Sequence, residues 1–345
     1  MDRAVSGMRS KIRNEAVLGL LKKRRYDFVS GSEIACALGV TRAAVWKKVN
    51  TLREMGYGIE ASRAKGYRLT GMPGLSAEDI RDSLSAHPRV IGREIVFYDS
   101  VGSTNTAAAE LAGKALSGGK SGNENPEGAV IIASGQTGGR GRRGRSWISP
   151  PGKNLYMSII VTPDIPPMDA TALTLMTAVA CAAAVKKTFS LPASIKWPND
   201  IMVSGKKLGG ILTEIKADMD RIFYAVIGIG INVNLDTEDM PGDIRRTATS
   251  LKAETGKSQS ITQCAVGVLE EMDRWYGIFL KKGIKPILEE WTKLASTLGK
   301  TVEVSVTGAV LTGVAEGIND EGMLMLRLPD GSLKKVSSGD VAIPG

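Results

Sequence analysis

Histidine and cysteine are scarce in this chain of 345 residues, which has one histidine, His87, and three cysteines. A single histidine excludes a Ser–His or Cys–His catalytic pair unless His87 itself is the base. Cys36, Cys181 and Cys264 lie far apart in apolar helical contexts, so we expect each to be a small buried hydrophobic residue. The sequence therefore predicts no structural metal site.

Long apolar segments are absent as well. The chain has no run of about 18 apolar residues, the length needed to cross a bilayer, and residues 1–10 lack the apolar core of a signal peptide. These absences predict a cytoplasmic protein with no membrane partner. The hydrophobic fraction of 43% is nevertheless ample for packed cores, and the length suggests two or three domains.

The charge is concentrated in the first part of the chain. The formal net charge is +9, from 45 Lys and Arg against 36 Asp and Glu. Residues 1–70 carry 15 of the basic and 6 of the acidic residues, so the whole excess lies there and the remainder is neutral. This asymmetry predicts a polyanionic partner for the first segment alone.

Residues 1–70 have the pattern of a winged helix-turn-helix domain. An apolar helix is followed by a short helix that Ser30 or Ser32 can cap and that ends at Gly39. A further helix is predicted over residues 42–55. Alternation over residues 57–69 then predicts a hairpin, the wing, with basic residues at its tip.

The start of the second helix of such a motif meets DNA base edges, and neighbouring lysines meet phosphates. The residues in these positions are Thr41, Arg42, Ala43, Trp46, Lys47 and Lys48. A small helical domain with a solvated basic face is the alternative. DNA binding is favoured because charge, turn and wing agree.

A stretch rich in glycine and arginine, residues 135–147, lies between apolar runs at 130–133 and 155–161 that predict buried strands. Glycine lets the backbone approach an anion and present its N–H groups, and arginine adds charged forks suited to phosphate. A disordered basic tail is the alternative, but such tails lack apolar neighbours. The stretch matches neither a Walker loop nor a Rossmann fingerprint. It predicts a loop that closes over a phosphate-bearing ligand.

Further segments bring polar side chains to the ends of predicted strands. The segment Ser103–Asn105 lies where a strand passes into an alanine-rich helix, and spacing alone favours capping there. Residues 196–200, Lys-Trp-Pro-Asn-Asp, include a lysine that needs an anion if it enters a packed site, either Asp200 or a ligand. A strand over residues 208–214 has paired glycines that leave room against its backbone. Another strand delivers Asn232 to the sheet end, followed by a polar loop, 236–246, that could fold over a ligand.

These patterns predict an α+β multidomain protein. The first domain covers residues 1–70 and a connector covers 71–94. An α/β core with the ligand site covers 95–298. Short alternating strands over 299–345 predict a small β-barrel.

Four motifs in this order resemble the biotin–protein ligases. They are Gly-Arg-Gly-Arg-Arg-Gly-Arg-x-Trp at 139–147, Lys-Trp-Pro-Asn-Asp at 196–200, Lys-Leu-Gly-Gly-Ile-Leu-x-Glu at 207–214 and Gly-Ile-Asn at 230–232. With the winged helix-turn-helix before them, the chain is similar to the bifunctional ligases that also repress biotin genes. The resemblance covers nearly the full chain. It implies a class II synthetase-like catalytic domain with a mixed sheet.

The resemblance also implies a two-step reaction. Biotin and ATP, with Mg²⁺, would give biotinyl-5′-AMP and pyrophosphate. Biotin would then pass to a lysine of a biotin carboxyl carrier protein, that of acetyl-CoA carboxylase. The other implied partners are operator DNA and, when the adenylate is bound, a second copy of the chain in a homodimer.

The family's functional residues carry over by motif. Expected biotin contacts are Ser103, Thr104, Asn105, Gln136, Arg140, Gly141, Arg142 and Lys196, which replaces capping as the interpretation of the first three. Expected ATP contacts are Arg142, Arg143, Asn232 and Lys207. Expected catalytic residues are Lys196, Arg140, Arg142 and Asp200, the last as a hypothetical acceptor of the carrier lysine's proton. The implied helix-turn-helix spans Gly31 to Asn50 and adds Gly31, Ser32 and Asn50 to the DNA contacts.

A biotin-sensing DNA-binding regulator without ligase activity is the second hypothesis. Both hypotheses share the basic winged domain, but a sensor does not need the Arg140–Arg143 and Lys196 set. The chain departs from the family pattern in a glycine- and asparagine-rich insertion around residues 117–128. That insertion is longer than its connection requires, and its role is open.

Overall fold

The computed structural model describes residues 16–24, 27–54, 57–71, 75–84, 89–117 and 125–343. The chain forms two compact units, Met1–Leu75 and Ser76–Gly345. His87 and residues 118–124 of the predicted insertion lie outside the described residues. The finer division at residues 70, 94 and 298 stays a prediction.

The first unit has the predicted winged helix-turn-helix order. Its elements are α1 (helical residues 16–23), α2 (Gly31–Leu38), α3 (Arg42–Glu54), β1 (Gly58–Ser62) and β2 (Gly66–Gly71). The two strands pair antiparallel and form the wing. The helices and the wing share one core, which includes Val17, Leu21, Ile34, Val45, Val49, Leu52, Ile59 and Leu69.

Local hydrogen bonds fix the turn between α2 and α3. Of the two candidate caps, Ser30 is the one used, because its hydroxyl accepts the N–H of Glu33 at 3.0 Å. Gly39 ends α2 with φ of 60°, a left-handed conformation that favours glycine. Thr41 then accepts the N–H of Ala44 at 3.2 Å and starts α3.

Cys36 corrects one expectation from the sequence. It lies on α2 but is exposed, whereas Cys181 and Cys264 are buried as predicted. The unit's core is built from the other side of that short helix, where Ile34 and Ala35 are buried. An apolar neighbourhood in sequence therefore did not determine which face Cys36 occupies.

The second unit is built on a mixed seven-stranded sheet in the order β3-β4-β5-β9-β8-β7-β6. Its strands are β3 (Ile95–Val101), β4 (Val130–Gln136), β5 (Leu155–Val161), β6 (Ser194–Lys196), β7 (Asp200–Val203), β8 (Lys206–Ala217) and β9 (Ile222–Ile231). β3 and β4 are parallel and the other ladders are antiparallel. This confirms the predicted mixed sheet.

Helices pack on the sheet and connect its strands. They are α4 (Ala77–Leu84), α5 (Thr104–Ser117), α6 (Thr171–Phe189), α7 (Gly242–Arg245), α8 (Leu251–Thr255), α9 (Ile261–Lys282) and α10 (Lys285–Leu294). The alanine-rich α5 lies on β4, β5 and β9 and packs Ala108 and Ala112 against Ile131 and Ile160. Its start is thereby held over the middle of the sheet.

Helix α6 is the apolar centre of this unit. By length and composition, Pro167–Phe189 is the one stretch of described helix that could cross a membrane, and 67% of its apolar window is buried inside the protein. It packs on α9, α10 and β8. A helix that is apolar on all sides and covered by protein occupies the position of a core helix.

The last segment forms a separate five-stranded antiparallel sheet in the order β13-β12-β11-β10-β14. Its strands are β10 (Thr301–Val306), β11 (Ala309–Ile318), β12 (Leu324–Arg327), β13 (Leu333–Val336) and β14 (Asp340–Ala342). This confirms the short antiparallel strands predicted for the segment. Closure into the predicted small barrel is not shown, because the ladders among the described residues leave β13 and β14 as edges. Trp197 joins it to the larger sheet by donating its indole N–H to Gly322 O at 3.2 Å.

Candidate active site

A cavity of about 730 Å³ lies between the start of α5, the glycine- and arginine-rich loop and strands β8 and β9. It brings together almost all of the residues that the sequence predicts for biotin, ATP and catalysis. Those lining it are Ser103, Thr104, Asn105, Gln136, Arg140, Gly141, Arg142, Lys196, Asp200, Lys207 and Asn232. Arg143 is not among the lining residues. Its guanidinium donates to Ser305 O on β10 at 3.0 Å.

The start of α5 forms a buried polar end of the cavity. Ser103, Thr104 and Asn105 are each less than a tenth exposed. The N–H of Thr104 donates to Gln136 Oε1 at 2.9 Å, so a side chain from β4 satisfies this helix terminus in place of a local cap. Local capping therefore does not account for the three polar residues at the start of α5.

A buried serine orients the first turn of α5. Ser158, fully buried on β5, donates to Asn105 Oδ1 at 2.6 Å and lies 2.8 Å from Thr104 Oγ1. The amide nitrogen of Asn105 consequently points the other way, towards Leu212 O at 3.2 Å and Glu214 Oε2 at 2.7 Å. Each buried polar atom in this group has a partner, which fixes its orientation.

The loop over residues 135–147 folds back on itself against the pocket. Arg140 and Ser146 form an isolated antiparallel bridge, and Trp147 N–H donates to Gly139 O at 2.9 Å. A Cβ on Gly139 would lie 2.4 Å from the backbone oxygen of Trp147, so any side chain there would force the loop backbone to shift. Arg143 has a φ of 54°, an uncommon conformation for a residue with a side chain.

Two carboxylates hold the arginines of this loop. Arg140 pairs with Glu214 on β8 at 2.8 Å. Arg142, Arg143 and Arg145 all approach Asp340 on β14, the first at 3.9 Å and the second at 3.6 Å. The loop is thus tied both to the large sheet and to the small one.

Arg142 is the most enclosed of the four arginines. Its guanidinium donates to Asn199 Oδ1 at 2.8 Å. Burial lowers the pKa of Arg142 below its ordinary value, and the nearby carboxylates of Asp340 and Asp200 oppose that shift. A cation held in partly buried surroundings interacts strongly with an incoming anion, because the lower local dielectric weakens screening.

Two lysines converge on one carboxylate in the cavity. Asp200 Oδ2 lies 3.2 Å from Lys196 Nζ, and Asp200 Oδ1 lies 2.6 Å from Lys207 Nζ. Strands β6 and β7 form a tight antiparallel pair that sets Lys196 opposite Asp200. The sequence posed Asp200 or a ligand as alternative anions for Lys196, and Asp200 fills that place here.

The indole of Trp147 covers the glycines of the two central strands. A Cβ on Gly230 would lie 2.7 Å from the Trp147 ring, and one on Gly210 would lie 3.4 Å from it. Lys207 Nζ lies 5.6 Å from the centre of the same ring, within cation–π range. The room that paired glycines predict is therefore taken by Trp147. Its buried indole N–H has no partner among the described residues.

Asn232 closes the far end of the cavity. Its amide donates to Thr249 O at 3.0 Å, and its Oδ1 lies 3.4 Å from the amide nitrogen of the buried Asn154. The predicted polar loop after it contains a 3-10 turn, Thr237–Asp239, and α7. Leu235, Met240, Ile244 and Ala248 from this segment pack together and line the cavity.

Sequence reasoning missed Ser158, Trp147, Asn199, Glu214 and Asp340 as parts of the site. Ser158 had a detectable signal, because it is a hydroxyl residue inside the apolar run of β5. Glu214 and Trp147 stood in recognised motifs without an assigned role. No local pattern distinguishes Asp340, whose proximity to the arginine loop depends on how the small sheet packs.

The predicted DNA-contacting residues of the first unit are clustered on α2 and α3. Thr41, Arg42, Ala43, Lys47 and Ser32 are exposed, and Trp46 has 54% of its surface exposed. Gly31, Lys48 and Asn50 are partly exposed. Arg53 ties α3 to the wing, because its guanidinium donates to Ile59 O at 2.9 Å and 2.7 Å and to Asn50 Oδ1 at 3.3 Å.

Three protein-family models match this chain in consecutive segments. An HTH domain matches residues 13–68, the biotin/lipoate A/B protein ligase family matches residues 99–232, and the biotin protein ligase C terminal domain matches residues 297–343. They fall on the winged unit, the cavity-bearing sheet and the small sheet.

Relatives and solved structures give the same result. The bifunctional ligase/repressor BirA of Bacillus spizizenii is 38% identical over 97% of this chain and 100% of its own length. The biotin–[acetyl-CoA-carboxylase] ligase of Paracoccus denitrificans is 32% identical over 66% of this chain and 92% of its own length. The biotin protein ligase of Aquifex aeolicus in complex with biotin and ATP has a TM-score of 0.60 and 27% identity, over 73% of this chain and 99% of that one.

The fold and the family matches define a ligase domain whose cavity is lined by arginines and lysines, carried in one chain with a DNA-binding unit. The chain belongs to the biotin protein ligase family, and its HTH domain aligns it with the bifunctional ligase/repressors of that family. The resemblance noted in the sequence is confirmed. A ligase with a repressor domain is favoured over a sensor without ligase activity.

Proposed function

We propose that this chain joins biotin to a carrier protein at the expense of ATP and represses biotin genes through its winged unit. One observation carries the proposal. Arg140, Arg142, Lys196 and Lys207 line the same cavity as the buried polar residues at the start of α5. A pocket of this kind suits a ligand with a neutral polar head and a carboxylate that must meet a phosphate.

The polar end suits the ring system of biotin. Its cyclic urea offers one carbonyl acceptor and two N–H donors. The Ser103 and Thr104 hydroxyls and the Asn105 amide supply both donors and acceptors at this end. The unpartnered indole N–H of Trp147, a further donor at the cavity wall, supports occupation by a ligand that carries acceptors.

The first chemical step joins two anions. A carboxylate oxygen of biotin attacks the α-phosphorus of ATP, the bond to the bridging oxygen breaks, and pyrophosphate leaves with the electron pair. The product is the mixed anhydride biotinyl-5′-AMP. The mutual repulsion of carboxylate and triphosphate opposes this approach. Lys196, Arg140 and Arg142 offset the repulsion, and Lys207, Arg143 and Asn232 complete the proposed nucleotide site.

Mg²⁺ is proposed to accompany the triphosphate. This ion prefers oxygen ligands and keeps several waters, so one or two protein oxygens suffice beside the phosphates. The cavity offers side-chain oxygens of Asp200, Asn199 and Asn232. Bound there, the ion would supply positive charge that offsets the charge of the phosphates.

The second step transfers the biotinyl group. A lysine amine of the carrier attacks the carbonyl carbon of the anhydride, and AMP leaves with the electron pair of the broken bond. The attacking nitrogen must also lose a proton, and Asp200 is the proposed acceptor. Asp200→Asn keeps the shape of the side chain and removes this capacity. Unchanged transfer from preformed adenylate would exclude the role.

The proposed partners are the biotin carboxyl carrier domain of acetyl-CoA carboxylase, operator DNA and a second copy of the chain once the adenylate is bound. The excess positive charge of the winged unit supports the DNA partner. Sedimentation with and without biotin and ATP tests the homodimer. A cytoplasmic location stays a prediction of the sequence.

Two assays test the ligase function. Pyrophosphate release should depend on biotin, and mass spectrometry of a carrier domain should show the added biotinyl group only when ATP is present. Retained biotin binding with no pyrophosphate would favour the sensor hypothesis instead. Absence of biotin binding would contradict both hypotheses.

A further inference from the structure

One carboxylate oxygen outside the cavity lining joins the polar end of the pocket to the loop above it. Glu214 Oε2 accepts the Asn105 amide at 2.7 Å and the Arg140 guanidinium at 2.8 Å. Glu214 itself does not line the cavity, whereas both of its donors do. The two contacts reach 109 and 74 residues along the sequence. They meet because β8 brings Glu214 beside α5 and the loop.

The partners of Asn105 leave it little freedom. Ser158 holds its Oδ1, so the amide nitrogen must face Leu212 O and Glu214. The side chain is also closely packed, because a Cβ on Gly228 would come within 2.2 Å of Asn105 Oδ1. Only one of its N–H groups can therefore be diverted to a ligand without loss of the Leu212 bond. That group is the one now given to Glu214.

We infer that Glu214 is a positioning residue that couples occupation of the polar end to closure of the loop. This inference rests on the proposed binding of biotin. A ligand carbonyl that takes the N–H of Asn105 removes one of the two donors from Glu214 Oε2. The full charge of that oxygen is then available to Arg140, and their pair strengthens. Binding of the polar ring of the ligand at the start of α5 thereby holds the arginine loop more firmly over the carboxylate of the ligand.

Glu214→Gln tests the coupling because it keeps the size of the side chain and removes its charge. Biotin affinity is measured by calorimetry, and loop closure by the rate of tryptic cleavage after Arg142, Arg143 and Arg145, read by mass spectrometry. Biotin should slow this cleavage in the wild type. In Glu214→Gln, the factor by which biotin slows cleavage should be about fivefold smaller than in the wild type. A fivefold change corresponds to the upper end of the energies measured for exposed ion pairs. Biotin affinity should stay within about threefold, since Ser158 and Leu212 still orient Asn105.

Glu316→Gln is the matched control. Glu316 and Arg327 form a pair on the small sheet at 2.9 Å, with exposed fractions of 41% and 42% against 40% and 45% for Glu214 and Arg140. Biotin should protect the loop of this variant as it protects the wild type. A double-mutant cycle adds the specific test. In an Arg140→Gln background, Glu214→Gln should have no further effect on protection.

Three results would contradict these expectations in distinguishable ways. Wild-type chain that binds no biotin would contradict the proposed function, so that titration comes first. Full biotin protection in Glu214→Gln would overturn the coupling while leaving the function intact. A loss of biotin affinity near a hundredfold in Glu214→Gln would also overturn it, because Glu214 would then be a direct ligand contact.

Discussion

The proposed reaction depends on the charges of individual side chains in the cavity. Substitution of Lys196 is the most direct test of this dependence. Its Nζ lies 3.2 Å from Asp200 Oδ2, and a quarter of the side chain is exposed. Lys196→Met keeps the length and removes the charge that offsets carboxylate–phosphate repulsion. Biotin-dependent pyrophosphate release should fall about 10²- to 10³-fold, as for loss of one transition-state donor.

Lys293→Met is the control for that substitution. Lys293 pairs with Glu290 at 2.9 Å on α10, and 70% of its side chain is exposed. Removal of this charge should leave pyrophosphate release unchanged. Equal rates for Lys196→Met and the wild type would remove the electrostatic basis of the proposed mechanism.

Two buried thiols predict how stability depends on pH. Burial raises the pKa of Cys264 to about 12 and raises that of Cys181 as well. Because the folded state favours the neutral thiols, their contribution is complete below the unfolded thiol pKa of about 8.5 and is lost as pH rises above it. Ionisation of each thiol in the unfolded state should lower the free energy of unfolding by about 2 kcal/mol at pH 10.

Urea unfolding between pH 8 and 10 measures this loss. Cys264→Ala should remove its share of the pH dependence, whatever the cavity costs at pH 8. Cys36→Ala, at an exposed position, should leave the pH dependence unchanged. An identical slope in Cys264→Ala and the wild type would show that the buried thiol is not protonated as inferred.

Among the structural elements, the arginine loop depends on a strand from the end of the chain. Asp340 on β14 faces Arg142, Arg143 and Arg145 together. Asp340→Asn leaves three like charges without their shared carboxylate, and their repulsion should splay the loop. The KM for ATP should rise about fivefold, equivalent to the ~1 kcal/mol of a partly exposed ion pair, with a smaller change in kcat.

Asp330→Asn on the same small sheet is the comparison. The side chain of Asp330 accepts from Ser332 within its own turn, so its neutral form should leave the KM for ATP unchanged. An equal rise in both variants would indicate a general weakening of the small sheet. An unchanged KM in Asp340→Asn would show that the carboxylate does not organise the loop.

Local sequence signals predicted the elements of the site well, because their causes are local. Apolar runs on either side of the glycines fixed the arginine stretch as a loop between strands β4 and β5. Pro198 ended β6 at Lys196, as expected of a residue that disfavours continuation of a strand. The order Ser103, Thr104, Asn105 placed three polar residues at the start of α5.

Long-range contacts within the site could not be predicted in the same way. Glu214 meets Asn105 and Arg140 only through the register of β8 against β9 and the packing of α5. Trp147 covers Gly210 and Gly230, whereas the sequence predicted only that the paired glycines leave room against the backbone. Such contacts depend on three-dimensional packing, so a pattern in the sequence can name the residues but not their partners.

At the scale of the whole molecule, the charged residues form two different arrangements: an excess of positive charge in the first segment and paired charges in the cavity. The excess charge belongs to residues 1–70, where most of the basic side chains that the structure describes are exposed. The cations of the cavity are instead balanced by Glu214, Asp200 and Asp340. An unbalanced basic surface attracts a polyanion over a distance and with little geometric demand. In the cavity, by contrast, the arginines and lysines are already paired with protein carboxylates, and the anionic groups of a ligand must replace those partners. The two units should therefore respond differently to salt.

Lys47→Ala tests this difference on the DNA-binding unit. Lys47 is exposed on α3, where a phosphate contact is expected. For wild type, the logarithm of duplex affinity should fall linearly with the logarithm of salt concentration, and Lys47→Ala should reduce the slope by about 1. Lys257→Ala, at an exposed lysine of the second unit, should bind with the wild-type slope. Biotin-dependent pyrophosphate release should be the same in both variants.

Two outcomes would contradict these expectations. A salt slope in Lys47→Ala equal to that of the wild type would mean that α3 does not contact the phosphate backbone. DNA binding by the second unit with a steep salt dependence of its own would contradict the separation of roles.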